Sequence, residues 1–280
     1  MKAIIVSSIA ILLIAISPVA SISQEASKAD LAKQAQNPIA NMISLPLQNN
    51  TNFGIGPDGD EVQNVLNIQP VIPISINDNL NLITRTIVPI ISQPDFYTGG
   101  DGTVTGIGDI TFSAFFSPKH SSKLTWGVGP VFLFPTAMDG PLGGTTEGGG
   151  KALGSDKWGA GLTVVGLTMP GNWVIGSLFS NIWSFAGSGD SDVNLFTWQY
   201  FINYNLPDGW YLTSAPIITA NWEADSENTW TVPFGGGLGK IFSIGKQAVN
   251  GQVSAYYNVE KPDYGPDWQL RVQLQFLFPK

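Results

Sequence analysis

The chain has 280 residues, room for one large all-β domain, and no cysteine, which excludes a disulfide framework, thiolate nucleophiles and thiolate metal sites. A net charge of −8 with no basic patch excludes nucleic acid as a partner. Only 12% of residues are charged, about half the usual share, while 32 glycines, 19 prolines and nine tryptophans mark a turn-rich, aromatic chain.

Residues 1–23 read as a secretory signal. Lys2 supplies the charged start, residues 3–16 the apolar run, and Pro18 ends it. The small residues Ala20, Ser21 and Ser23 place cleavage between Ala20 and Gln24. The alternative is an uncleaved anchor, but the run is short of the ~20 residues a spanning helix needs. No other long apolar run follows. A membrane-bound mature chain must therefore cross as a closed barrel, because lipid satisfies no unpaired backbone group. Residues 24–37 are polar and alanine-rich, with Leu31 their only large apolar residue, and predict a short helix or a flexible periplasmic lead. Asn37-Pro38 ends it, since a residue before proline leaves the α region.

Twelve strands are predicted over residues 38–280: about 40–52, 61–76, 80–92, 109–117, 123–135, 157–169, 173–186, 193–205, 210–222, 229–244, 251–261 and 268–278. The first alternates Ile43, Leu45 and Leu47 with Ser44 and Gln48. The eighth sets Phe196, Trp198, Tyr200, Ile202 and Tyr204 against Thr197, Gln199, Asn203 and Asn205. The last, WQLRVQLQFLF, is the clearest. Trp268, Leu270, Val272, Leu274, Phe276 and Phe278 alternate with Gln269, Arg271, Gln273 and Gln275, and only Leu277 breaks the rule. Such a strand has one face for lipid and one for a wet interior, and its length suits a tilted crossing. Other strands are less regular. The third puts Arg85 with Ile83 and Ile87, the seventh puts Ser177 and Asn181 beside Phe179 and Trp183, and the tenth carries Gly235 to Gly237. Packing against a plug inside the lumen, or a different register, would account for them.

The connections alternate. Short ones at 77–79, 118–122, 170–172, 206–209 and 245–250 separate mostly longer ones at 53–60, 93–108, 136–156, 187–192, 223–228 and 262–267. Outer-membrane barrels alternate short periplasmic turns with long outside loops in this way, and have even strand counts. Eight of the nine tryptophans fall near strand ends, Trp198 being the exception, as interfacial girdles require. The fold class expected is thus an all-β transmembrane antiparallel barrel in the outer membrane of a Gram-negative cell.

The inward rows hold the candidate functional residues. Arg85, Gln199, Asn203, Ser254, Tyr256, Asn258, Glu260, Gln269, Arg271, Gln273 and Gln275 are expected to line the lumen as a solute pathway, or merely to solvate it. Centring the last connection on 262–267 pairs Asn258 with Arg271, Tyr256 with Gln273 and Ser254 with Gln275, and sets Glu260 diagonally from Arg271. The outside loops carry Asp58, Asp60, Asp95, Asp101, Asp139, Glu147, Asp190, Asp192, Asp225, Glu227 and Asp263 against the single base Lys151. A pore mouth so charged favours cations, with Arg85 and Arg271 opposing the preference.

No catalytic set is present. The one histidine, His120, lies in a basic turn, away from the lipid-facing Ser–His pair a barrel phospholipase needs, and a zinc site lacks ligands. The glycine runs are not followed by the Lys-Ser or Lys-Thr of a phosphate loop. No cofactor is expected, although acidic loops leave calcium open.

The run Gln36-Asn37-Pro38-Ile39-Ala40 leading into Ile43-Ser44-Leu45-Pro46, with GIGDITFSAFFSP (106–118), WGVGPVFLFPTA (126–137), NIWSFAG (181–187), DGWYLTSAPIITANW (208–222) and FGGGLGKIF (234–242), resembles a group of bacterial outer-membrane transporter-like proteins of the phenol meta-degradation type. The resemblance spans most of the chain after the signal. It implies a porin-like barrel and uptake of small, aromatic or hydrophobic solutes, with lipid, lipopolysaccharide and the barrel-assembly machinery as partners. One departure is that Phe278 is followed by Pro279-Lys280, so the terminal aromatic is not the last residue. Two other readings stand beside the channel: a structural or adhesive barrel without an open pore, and a secreted carbohydrate-binding β-sandwich.

Overall fold

A computed structural model describes residues 28–95, 102–120, 123–138, 153–188 and 191–279. The signal-peptide reading and most of the 136–156 loop lie outside the described residues. The chain forms one helix, α1 (Lys28–Ala35), and twelve staves of a closed antiparallel barrel. These are β1 (Ile43–Ile55), β2 (Glu61–Ile68 and Val71–Ser75), β3 (Leu80–Pro94), β4 (Thr103–Ile107 and Ile110–Pro118), β5 (Thr125–Phe134) and β6 (Lys157–Thr168). They continue as β7 (Trp173–Gly187), β8 (Asn194–Asn205), β9 (Trp210–Ser214 and Ile217–Asn221), β10 (Trp230–Ile244), β11 (Gln247–Glu260) and β12 (Trp268–Phe278). Each stave pairs with the next, and β12 pairs with β1 from Ile43↔Phe278 to Phe53↔Trp268, which closes the ring and leaves no edge. No helix of the described residues is long and apolar enough to cross a membrane.

The outer face is apolar and exposed. Leu162, Val164, Phe179, Leu212, Phe234, Val253, Tyr257 and Val272 stand on it. Tryptophans flank the band at two levels. Trp126, Trp173 and Trp210 lie at the short-turn end, and Trp158, Trp183, Trp222 and Trp268 at the long-loop end. Phe53 stacks on Trp268 at 4.1 Å, and Trp222 meets Trp230 edge-on at 5.4 Å. An apolar belt between aromatic girdles on a closed sheet is a lipid-facing wall, and it removes the soluble sandwich.

The irregular strands have local explanations. Ser177 and Asn181 point outward, not into the lumen. Ser177 Oγ accepts from Trp198 Nε1 at 3.3 Å and Asn181 Oδ1 from Trp222 Nε1 at 3.3 Å, so both satisfy indoles that lipid cannot. A polar rung also runs outward across four neighbouring staves in register, Thr51↔Asn64↔Ser92↔Thr105, one step below Phe53 and Trp268. Thr51 Oγ1 donates to Asn64 Oδ1 at 2.8 Å and Thr105 Oγ1 to Ser92 Oγ at 2.9 Å, so the rung is internally bonded.

The glycines of β10 alternate inward as Gly235, Gly237 and Gly239, opposite Tyr256, Ser254 and Gln252. A Cβ on Gly239 would sit 2.0 Å from Tyr211 Cζ, so this wall is kept bare for that ring. Tyr211 is fully buried and its hydroxyl donates to Asn250 Oδ1 at 2.7 Å. Gly239→Val should cost about 1–3 kcal/mol by overpacking, read as a lower urea midpoint in micelles. The loss should shrink when Tyr211→Ala is added, and an undiminished loss would mean the ring is not the obstacle.

Three staves break where the sequence predicts continuous strand or loop. Pro70 interrupts β2 and Pro216 interrupts β9, because proline has no N–H for the ladder. β4 begins at Thr103, earlier than expected, and breaks at Gly108-Asp109. There the Asp109 carboxylate accepts from Ala137 N (3.1 Å), Ser155 N (2.6 Å) and Ser155 Oγ (2.8 Å), tying both described ends of the longest loop to the wall. Ala137 and Leu153 then pack on Val104 and Ile91 just inside the mouth.

Candidate functional site

The lumen is organised by the segment before β1. Its alanines, lysines and Leu31 favour helix, and Asp30 and Lys33 sit at the ends the helix dipole prefers. α1 packs on the Pro207–Gly209 turn and on β10, at the short-turn end. Ala32 and Met42 form one buried cluster with Ile241 and Leu277. Leu277, the residue that broke the alternation of β12, is therefore an inward seat for the helix. Gln36 and Asn205 exchange amide hydrogen bonds of 2.9 and 3.2 Å. Beyond the Asn37-Pro38 turn, Ile39 enters an apolar nest of Val71, Ile83, Phe115, Val165, Leu167, Val174, Leu178 and Phe201.

That nest corrects an expectation. Inward rows were expected to be polar, with Ile83 and Ile87 an irregularity that a luminal plug could explain; instead a contiguous apolar nest runs across β2–β8 where Ile39 packs. A bore this narrow is filled by side chains, and Ile39 needs an apolar seat. Among the described residues the polar inner wall concentrates on β1 and β9–β12, joined by Arg85 on β3 and by Gln199 and Asn203 on β8.

Of the sequence-predicted residues, Arg85, Gln199, Asn203, Arg271, Gln273 and Gln275 line one cavity of about 140 Å³. The plug segment, Gln34 to Met42, closes its other side. Ser254, Tyr256 and Asn258 are buried on the same inner face nearer the outer mouth, and Gln269 bonds Asn52 Oδ1 there at 2.9 Å. Glu260 is exposed at the rim, opposite Val232. The expected β11–β12 register is four residues off. Arg271 lies across from Ser254, Gln269 from Tyr256, Gln273 from Gln252 and Gln275 from Asn250. The cause is the outer loop. Asn258 to Glu260 stop pairing with β12, and the chain returns through Asp267, whose N–H donates to Phe53 O at 2.8 Å. The loop is off-centre, and sequence symmetry misplaced it. The turn between β10 and β11 is correspondingly tighter than expected, with β11 starting at Gln247.

Arg271 therefore never meets Glu260. It is 3% exposed and is held by neutral acceptors: Nε donates to Asn50 Oδ1 (3.0 Å), Nη1 to Ala215 O (2.8 Å) and Nη2 to Gln269 Oε1 (3.0 Å). Its guanidinium lies 4.8 Å over the Tyr256 ring. Ala215 N donates to Tyr256 Oη at 3.3 Å, so both backbone groups at the β9 break are satisfied by these two side chains. Arg85 Nη2 donates to Gln69 Oε1 at 2.5 Å, at the β2 break. Sequence reasoning missed Tyr211, Gln252, Asn50 and the whole plug segment. The signal for the first two was the inward parity of β9 and β11.

At the rim, Lys157 Nζ donates to Asp192 Oδ1 at 3.2 Å. This bond and a second from Ser184 hold the Asp192 carboxyl below the usual range. The pair's small stabilisation is therefore present above the ordinary carboxylate pKa and is lost as pH falls through the depressed value. Among the described residues no group of three His, Asp or Glu side chains is placed to hold a metal.

No family model and no curated protein matches the chain. Among solved structures, an outer-membrane channel from Pseudomonas putida F1 has a TM-score of 0.62 at 19% identity, covering 85% of this chain and 94% of its own. The monoaromatic hydrocarbon channel CymD has a TM-score of 0.48 at 10% identity, over 90% and 91%. The outer-membrane phospholipase A of Escherichia coli has 0.41 at 14%, over 85% and 96%. At 19% identity the likeness to the P. putida channel is one of fold. With the belt and girdles it defines the class: an outer-membrane β-barrel set in lipid and lipopolysaccharide.

Proposed function

We infer that this barrel is a passive channel for small, largely apolar solutes, aromatic ones among them, and that it performs no covalent chemistry. The observation that carries this reading is the two-sided lumen. An apolar nest and an amide-lined cavity meet at a plug segment that is packed in rather than covalently fixed. The nest, filled by Ile39 at rest, would offer an apolar solute a wall once the plug moves. The P. putida neighbour is an outer-membrane channel, which supports the reading by analogy of fold. Assembly would use the barrel-assembly machinery, reading the terminal strand that ends in Phe278. The filled lumen also favours a second reading, a closed structural barrel, and one measurement separates them. A fluorescent apolar probe such as phenylnaphthylamine should enter cells faster when they carry the barrel, lipopolysaccharide being unchanged. Equal entry rates would leave the structural barrel standing.

A further inference from the structure

The cavity under the plug is lined by cationic but by no acidic side chains. Arg85 and Arg271 both line it, and its wall contains no Asp, Glu, Lys or His. No Asp or Glu among the described residues pairs with either arginine. Arg271 uses one N–H from each of its three nitrogens, on Asn50, Ala215 and Gln269. A guanidinium carries five N–H donors, and among the described residues Arg85 makes one side-chain hydrogen bond, to Gln69. Charges held inside a protein are ordinarily paired, because an uncompensated one loses its hydration without replacement. Two like charges share one cavity, Arg85 with most of its donors unused, an arrangement that suits an anion, and the forked donors of a guanidinium match a carboxylate.

The same cavity has an apolar flank of Val71, Leu178 and Phe201. A phosphate or sulfate would have no use for it. We propose that the cavity binds a small monocarboxylate with an apolar body, aromatic or short aliphatic. Its carboxylate meets Arg85, in the field of Arg271, and its body lies against Leu178 and Phe201. This rests on the channel reading and narrows it, naming the solute class held on the way through. The volume of about 140 Å³ admits an acid of benzoate size without displacing the plug.

The test is binding, so it does not depend on transport. Refolded full-length barrel in micelles is titrated calorimetrically with benzoate, neutral benzamide, decanoate and inorganic phosphate. Benzoate should bind at least about tenfold tighter than benzamide or phosphate, one charge-assisted contact being worth that much. Decanoate should bind more weakly than benzoate, which separates a small acid from a lipid-like one. Arg85→Gln should abolish the preference, Arg85→Lys should keep part of it, and Lys240→Gln, on the outer face over Trp210, should leave it intact. Equal binding of benzoate and benzamide, or benzoate binding unmoved by Arg85→Gln, overturns the proposal. Tighter phosphate overturns its apolar half, and tighter decanoate its size limit. Benzoate binding without faster probe entry would instead sink the channel reading and leave the site.

Discussion

Deleting residues 24–41 should raise the single-channel conductance several-fold while leaving a folded barrel. The segment contributes Ala32, Ile39 and Ala40 to buried clusters and half of the Gln36–Asn205 amide pair. None of these residues belongs to the ladder that closes the wall, since β1 begins at Ile43. Burying Ile39 alone is worth about 1.5–3 kcal/mol. The segment is therefore held shut at rest, yet by far less than the barrel's own cohesion. The deletion removes one entire side of the cavity that Arg85 and Arg271 line, and joins it to the periplasm. Planar-bilayer recording measures the change, with heat-modifiable gel mobility confirming that the variant is closed. Unchanged conductance from a folded variant would mean that the plug is not the obstruction, and that the mouth cluster of Val104, Ala137 and Leu153 is. The reversal potential in a KCl gradient reads the sign of what is uncovered. The acidic rim favours cations, but the described interior holds two arginines and no lining acid, so the anion share should grow when the plug is removed.

The second large effect is on stability. Leu274→Arg should cost about 2–4 kcal/mol, the price of a cation on the lipid face at mid-height. Leu274 pairs with Leu47 and Gly251, well away from the Trp268 girdle, so its side chain has no interface within reach. The neighbouring Gln273 points into the cavity, and Gln273→Ala should cost far less, because water replaces the amide. Unfolding midpoints in lipid vesicles compare the two. Similar losses would mean that the face assignment of β12 is wrong.

The sequence by itself determined the class of protein, its strand count and, on the regularly alternating staves, which residues face lipid. Those follow from a side-chain period of two against a two-sided environment, and that period survives errors in strand boundaries. Ile72 and Ile74 keep their outward parity across the Pro70 break for this reason. The alternation of short and long connections was legible for a similar reason, since turn residues act locally. Register was not legible. It depends on where a loop folds back, and the bond from Asp267 N to Phe53 O joins residues that lie far apart in the chain. The site was legible in its residues but not in its partners. Arg271 and Arg85 stood out as rare inward charges, yet Glu260 was assigned to the first and nothing to the second. Only the tertiary structure decided that a polar, alanine-rich lead turns back into the barrel, because Ile39 and Leu277 acquire meaning only when the two ends of the chain meet. The same meeting makes the lumen half apolar, and it is also what leaves two arginines facing one cavity with no acid between them.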